Sequence, residues 1–291
     1  MEVSNKEIIE ALKRLDLSLY PYDEVKRLIS QFQPKILRIT IPEGSVIERI
    51  RPDIDVFERK DVSYRPADKN VNPQRATLPR KTAFYGIISH IKDPLYKNRY
   101  IALLEASKIY KQGPTCNGVE HYTLSRWVTN APIGLAVFAH QSVFQGVRDN
   151  ALLDTSKKEL NERASFIDDI FQFDEYMRFV SEQFAEPVDP TENYKYIISA
   201  TIAEMLMYAS NLDGVMYPSV QAVGEHGMNV ALRPDIADNK LVLVDVNELE
   251  YTQKDGEGHL RFTKSSIPDL EDIHGYKHWS YVNYKRNAVA D

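Results

Sequence analysis

Glu105 stands in the run YIALLEASKIY, four residues after Ile101 and four before Ile109. On a helix its direction lies between two apolar side chains, and a carboxylate there loses hydration unless a polar group faces it. Two roles fit: a glutamate that snorkels to water and pairs with Lys108 at i+3, or a carboxylate aimed into a pocket. A second segment, Asp213-Gly214-Val215-Met216-Tyr217-Pro218-Ser219, stops a helix at glycine, forms a short strand and delivers a serine just after a proline. Gln221, Gly224, His226, Gly227 and Asn229 come next in a polar, glycine-containing loop. No histidine or acid stands at triad spacing from Ser219, so hydrogen bonding suits it better than acyl transfer. An ordinary strand–loop–strand connection would use the same residues. The third feature is charge. Between Arg49 and Lys81 nine basic residues face five acidic ones, in a chain of net charge −6. Such a stretch reads as solvated surface from charge alone. It gains meaning only where other features place it at a pocket.

Other chemistries are excluded or bland. There is no GxxxxGK[ST] loop, GxGxxG, HExxH, GxSxG or CxxC. His274 and His278 share a helical spacing without an acidic third ligand, which favours packing or surface over metal. Asp168 and Asp169 are adjacent and point apart on a helix, so they read as solvated. The single cysteine, Cys116, supports neither an internal disulfide nor a thiolate zinc site. No metal is expected. The acidic balance argues against direct nucleic-acid binding. Nowhere do the ~18 uninterrupted apolar residues of a membrane span occur, and the charged N-terminus lacks the run of a secretory signal. A cytoplasmic protein with no membrane partner is the simplest expectation.

The elements that must position these residues alternate between helix and strand. Ser4 and Glu7 fit a capping box ahead of Ile8, Ile9, Leu12 and Leu15, and a second amphipathic turn set begins near Asp23. ILRITIP, SVIERIRP, TAFYGIIS, SRWVTN, GLAVFAH, VMYPS, NVALRP and KLVLVDV read as strands, with Glu43-Gly44 as a turn between the first two. RYIALLEASKIY reads as one helix. The polar stretch from Asp53 to Pro79, with four prolines counting Pro52, is a long loop of the kind that usually carries function. From Asp154 to Glu192 eleven acidic residues face four basic ones, and the helical part carries Tyr176, Phe179 and Val180 as apolar positions. Asp189-Pro190-Thr191-Glu192 has the composition of a helix start. The expected layout is an N-terminal helical extension over 1–40 and a main domain over 41–250 with an acidic helical insertion near 150–190. A tail over 251–291 packs on that domain.

Taken in order, IERIRP, NPQRATLPRKTAFYGII, ALLEAS and DGVMYPSVQ…GMNVALRP resemble the RES domain family, over roughly residues 41–246. The resemblance implies a mixed α/β (α+β) fold with a compact ADP-ribosyltransferase-like sheet core and flanking helices. It also implies an NAD-consuming enzyme that breaks the nicotinamide–ribose bond. The ADP-ribosyl group would pass to inorganic phosphate or water, or alternatively to a protein target. A scaffold that binds NAD or ADP-ribose without turnover is a further alternative. Carried over by position, the family's namesake arginine, glutamate and serine match Arg49, Glu105 and Ser219. Arg51 lies two residues from Arg49 on the same strand face and could exchange with it. A second family arginine aligns with Arg75, although the family's following asparagine is replaced in Arg75-Ala76-Thr77. Tyr85 matches the tyrosine before the glutamate helix, and Tyr217 belongs to the YPS end piece. The resemblance further implies a toxin of a toxin–antitoxin pair. Its partner would be a protein antitoxin, for which a helix-turn-helix type is one option. It leaves room for a homo-oligomer.

Overall fold

A computed structural model describes residues 3–32, 36–52, 56, 58–88, 95–143, 170–219, 227–268 and 279–282. Ser4 opens helix α1 (Asn5–Lys13) with the two-way cap its sequence predicts. The Glu7 amide donates to the Ser4 hydroxyl at 3.3 Å, and the Ser4 amide donates to the Glu7 carboxylate at 2.9 Å. Helix α2 (Tyr22–Ile29) comes next. Together they bury Ile8, Ile9, Leu12, Val25, Leu28 and Ile29 in the same core as the sheet. The Phe32 ring meets Tyr176 and Phe179 of α6 (Ile170–Ala185) at 5.0 and 6.3 Å between centroids. The helical opening is therefore built into the main core and is not a separate extension. The described half of the acidic region is core as well, since α6 buries Tyr176, Met177, Phe179, Val180 and Phe184.

Ten described strands form one mixed sheet in the order β1-β5-β6-β7-β3-β2-β4-β8-β9-β10. They are β1 (Arg38–Ile41), β2 (Val46–Pro52), β3 (Phe84–Ile88), β4 (Gly118–Thr129), β5 (Ile133–Val137), β6 (Gly214–Pro218), β7 (Met228–Leu232), β8 (Leu241–Lys254), β9 (Glu257–Pro268) and β10 (Trp279–Val282). β5 and β6 run parallel and the other neighbours antiparallel. A domain boundary at residue 250 falls inside β8. Among the described residues beyond it, β8 and β9 form a hairpin: Asp255 and Gly256, at φ 53° and 86°, turn one strand into the other. That Asp-Gly pair, with both residues in the left-handed region, is the preferred two-residue hairpin turn.

The other α-helices among the described residues are α3 (Arg59–Val62), α4 (Leu95–Ala106), α5 (Lys108–Lys111), α7 (Ile197–Glu204) and α8 (Pro234–Lys240), with a π-helical turn, Met205–Ala209, prolonging α7. Two departures from the expected helices have local causes. RYIALLEASKIY is two helices, because the Ser107 hydroxyl accepts from the Tyr110 amide at 3.0 Å and so caps α5. Asp189 does not start a regular helix. Its carboxylate takes the Thr191 amide at 2.8 Å in a local turn, and a 3₁₀ turn over Asn193–Tyr196 precedes α7. Among the described residues no helix is long and apolar enough to cross a membrane.

The register of β2 matters most for the site. It pairs with β4 from Val46↔Val128 to Pro52↔Tyr122, but with β3 only at Ile47↔Ile88 and Glu48↔Ile87. From Arg49 onward β2 leaves β3, and the sheet splits between its two halves. Helix α4 lies across the junction, where Ile101, Ala102 and Leu104 pack with Ile87 and Ile50.

Candidate functional site

The split between β2 and β3 and the underside of α4 form an open cavity of about 300 Å³. Its wall includes Arg49 and Ile50 of β2, Tyr85 and Ile87 of β3, Ala102 and Glu105 of α4, Tyr217 of β6 and Asn229 of β7. Five residues picked out in the sequence therefore meet: Arg49, Tyr85, Glu105 and Tyr217 in the wall, and Ser219 through Glu105. Ser219 donates a short hydrogen bond from its hydroxyl to Glu105 Oε1. Asn229 Nδ2 donates to the same oxygen at 3.3 Å. Glu105 thus faces the polar ends of β6 and β7, and the pocket-directed role is the one its geometry supports.

Why α4 comes this close to the sheet is read from a glycine. A Cβ on Gly227 would stand 2.5 Å from Ile101 Cγ2 and 2.9 Å from Cδ1, so only glycine lets the helix settle there. The Gly227 carbonyl accepts from the Ser219 amide at 2.9 Å, which fixes the serine beneath α4. One backbone contact therefore sets the Ser219–Glu105 distance.

Arg49 fills the gap where β2 and β3 part. Its Nη1 donates to the Tyr85 carbonyl at 2.5 Å, an acceptor that continued β2–β3 pairing would have occupied. The guanidinium stands 5.5 Å from the Phe84 ring centre. Its Nε is closed to water and has no hydrogen-bond partner among the described residues. Burial, and then the nearby charge of Arg51, pull its pKa from 12.5 to about 9. At neutral pH Arg49 remains a cation, short of partners, at the edge of a cavity. Such a group is stabilised by an anion.

Arg51 does not join it in the wall. Its Nη1 donates to the Asp61 carbonyl at 2.6 Å, so the two strand neighbours serve different ends. Arg75 is not brought to the cavity either. It sits in the turn Gln74–Thr77 and caps the end of α6, donating from Nη1 to the carbonyls of Phe184 at 2.7 Å and Glu186 at 3.0 Å. Its guanidinium also lies 4.9 Å from the Tyr196 ring centre. The Phe184 it holds packs on Tyr217 at 5.1 Å between centroids, so Arg75 supports the cavity wall from behind.

Tyr85 is anchored by its hydroxyl, which accepts from the Ala76 amide at 3.2 Å and meets Thr77 Oγ1 at 3.0 Å. Burial pushes its pKa to about 12. Burial, followed by the Tyr85 charge, raises Tyr217 well above the ordinary phenol range. Both phenols are neutral at physiological pH.

Sequence reasoning assigns Asn229 no role at the site and does not single out Glu48. The signals are present. Asn229 is the one polar residue in MNVAL, an otherwise apolar strand. Glu48 shares its strand face with Val46 and Ile50, where an acid is out of place. Asp168, Asp169, Gln221, Gly224, His226, His274 and His278 lie outside the described residues. Among the described residues no group of three or more His, Cys, Asp or Glu side chains is placed to hold a metal. No protein-family model matches the chain, and no curated protein matches it.

Proposed function

We propose that this protein cleaves the nicotinamide–ribose bond of NAD and passes the ADP-ribosyl group to phosphate or water. The observation that carries the reading is one cavity holding Glu105, tied to Ser219 and Asn229, at the strand split that Arg49 fills. Breaking the C1–N bond sends its electron pair to the pyridinium nitrogen, so nicotinamide leaves neutral and no acid is needed. Positive charge develops on the ribose, and a fixed carboxylate beside it stabilises that charge. Glu105 takes this role, held in place by donors that include Ser219 and Asn229. An oxygen of phosphate or water then bonds to C1; where water attacks, its proton is released to Glu105 or solvent. Arg49 holds the linking phosphates, for which a guanidinium short of partners is suited. A cavity of about 300 Å³ is at the lower end of ligand sites and suits the reacting nicotinamide riboside, the adenosine half lying toward the mouth.

An enzyme that drains NAD needs restraint, and a protein antitoxin that covers the cavity mouth would supply it. The test of the activity is direct. Incubation with NAD should release nicotinamide, with ADP-ribose 1″-phosphate appearing only when phosphate is present if phosphate is the acceptor. Glu105→Gln should lower the rate on the order of 10²–10³. No nicotinamide release, or equal release by the variant, overturns the reading. A labelled protein band would transfer the proposal to protein modification.

A further inference from the structure

Asn229 lies half-buried in the cavity wall, the one polar residue of β7. The strand register sets it opposite Tyr217 of β6 on one side and Ile87 of β3 on the other. Directly opposed residues share a sheet face, so all three lie on the face that Ile87 turns to α4. Its chain neighbours Met228 and Val230 take the other face and are buried.

Asn229 Nδ2 donates to Glu105 Oε1 at 3.3 Å. A carboxylate oxygen accepts and does not donate, so the nitrogen of the amide must face Glu105 and its orientation is fixed. One N–H is used there. The second N–H and Oδ1 have no hydrogen-bond partner among the described residues. A donor and an acceptor side by side on one planar amide are the complement of another primary carboxamide.

Position decides what meets that pair. With β3 between them, Asn229 on β7 and Arg49 on β2 are at least two strand spacings apart, about 10 Å. When the linking phosphates rest on Arg49 and the ribose lies at Glu105, the leaving pyridine ring falls over β7 and β6. Ile87 and Tyr217 flank it there, and Asn229 is the hydrogen-bonding amide between them. The carboxamide is the ring's one polar substituent.

We propose that Asn229 is the specificity-determining residue for the leaving group, pairing with the carboxamide of nicotinamide and rejecting a pyridine that carries a carboxylate. This rests on the function proposed above and narrows its substrates to dinucleotides of a pyridine carboxamide. A carboxylate in the same place would set one oxygen against Oδ1, acceptor to acceptor. It would also bring a second negative group beside Glu105. Both effects select against the acid.

The test gives the full chain NAD or nicotinic acid adenine dinucleotide and measures release of the free base. Wild-type kcat/KM should favour NAD by at least about 100-fold, as where a hydrogen-bonding site meets the wrong partner. Asn229→Leu should lose far more activity on NAD than on the acid, bringing the ratio below about tenfold. Asn229→Ala, the smaller change, serves where leucine does not fold. Ser219→Ala removes another donor to Glu105 Oε1, and should slow both substrates alike and keep the ratio. If Asn229 only holds Glu105, its variants will also keep the ratio, and that result overturns the proposal. A wild-type ratio near one overturns it without any variant. In both cases cleavage of NAD still stands. Calorimetric titration with free nicotinamide and nicotinate covers the case in which neither dinucleotide is cleaved. If the wild-type protein then holds nicotinamide at least about tenfold tighter and the Asn229 variants do not, the carboxamide pair stands and NAD cleavage falls. If nicotinamide is not preferred either, both fall.

Discussion

Arg49→Met separates what Arg49 costs the fold from what it gives the site. The methionine keeps most of the volume and removes the charge. A pKa moved from 12.5 to about 9 at a site where the arginine is charged at pH 7 corresponds to about 5 kcal/mol against the charged form, as a ceiling. The residue is only half-buried, and water in the cavity screens part of this, so on the order of 2–3 kcal/mol is the working figure. Against it stand the Tyr85 carbonyl, which loses its donor at about 1–3 kcal/mol, and the contact with Phe84 at about 1 kcal/mol. These nearly cancel. Arg49→Met should therefore unfold in urea at pH 7 within about 1 kcal/mol of the wild-type protein. The same variant should lose ADP-ribose binding by at least about 100-fold, since a charged hydrogen-bonded contact is removed. Equilibrium unfolding and isothermal titration on one preparation decide it. A variant destabilised by more than about 3 kcal/mol that still binds ADP-ribose would show that Arg49 is a structural clamp, and the reasoning would fail.

Three further outcomes rest on other contacts. Glu48 holds a proton in the folded protein up to about pH 7 that it loses near its ordinary 4.5 when unfolded, so stability should fall between those values by up to about 3 kcal/mol. Urea midpoints at pH 5 and pH 8 should show this fall in the wild-type protein and not in Glu48→Gln; parallel slopes would contradict it. Arg75→Ala removes the donor to two carbonyls at the end of α6 and the contact with Tyr196, and should cost about 2–4 kcal/mol by thermal or urea unfolding. Its turnover of NAD per folded molecule should stay within about tenfold of wild type, because its guanidinium does not reach the cavity; a loss like that expected of Glu105→Gln would place it there instead. Gly227→Ala drives a methyl group into Ile101 and should lift α4, costing about 1–3 kcal/mol of stability and at least about tenfold in rate. Unchanged kinetics in that variant would mean that the Ser219–Glu105 contact does not depend on this packing.

Much of the fold is legible in the sequence because strand and helix periods are local. Eight of the strands lie where β-branched alternation places them, and the capping box at Ser4 forms as written. The hairpin after β8 escapes such a reading although Asp255-Gly256 is a strong local turn signal, because the flanking residues are too polar to stand out. The break at Ser107 escapes it because helical spacing continues past the serine, and only its bond to the Tyr110 amide ends the helix. At the site, residue types and spacing single out Glu105 and Ser219, and Arg49 comes only from the family resemblance. Partition among the arginines is not readable. Arg49, Arg51 and Arg75 are chemically alike, and which of them faces the cavity depends on where β2 leaves β3 and on where α6 ends. Those are long-range events. The same holds for Asn229 and Glu48, which become neighbours of the site only through register across several strands.

The most direct measurement is a crystal structure of Glu105→Gln with NAD bound. The nicotinamide ribose should lie beside residue 105, with its C1 facing the amide that replaces the carboxylate, and the linking phosphates should rest on the Arg49 guanidinium. A dinucleotide seated elsewhere on the molecule, or one whose phosphates leave Arg49 untouched, would contradict the proposed chemistry.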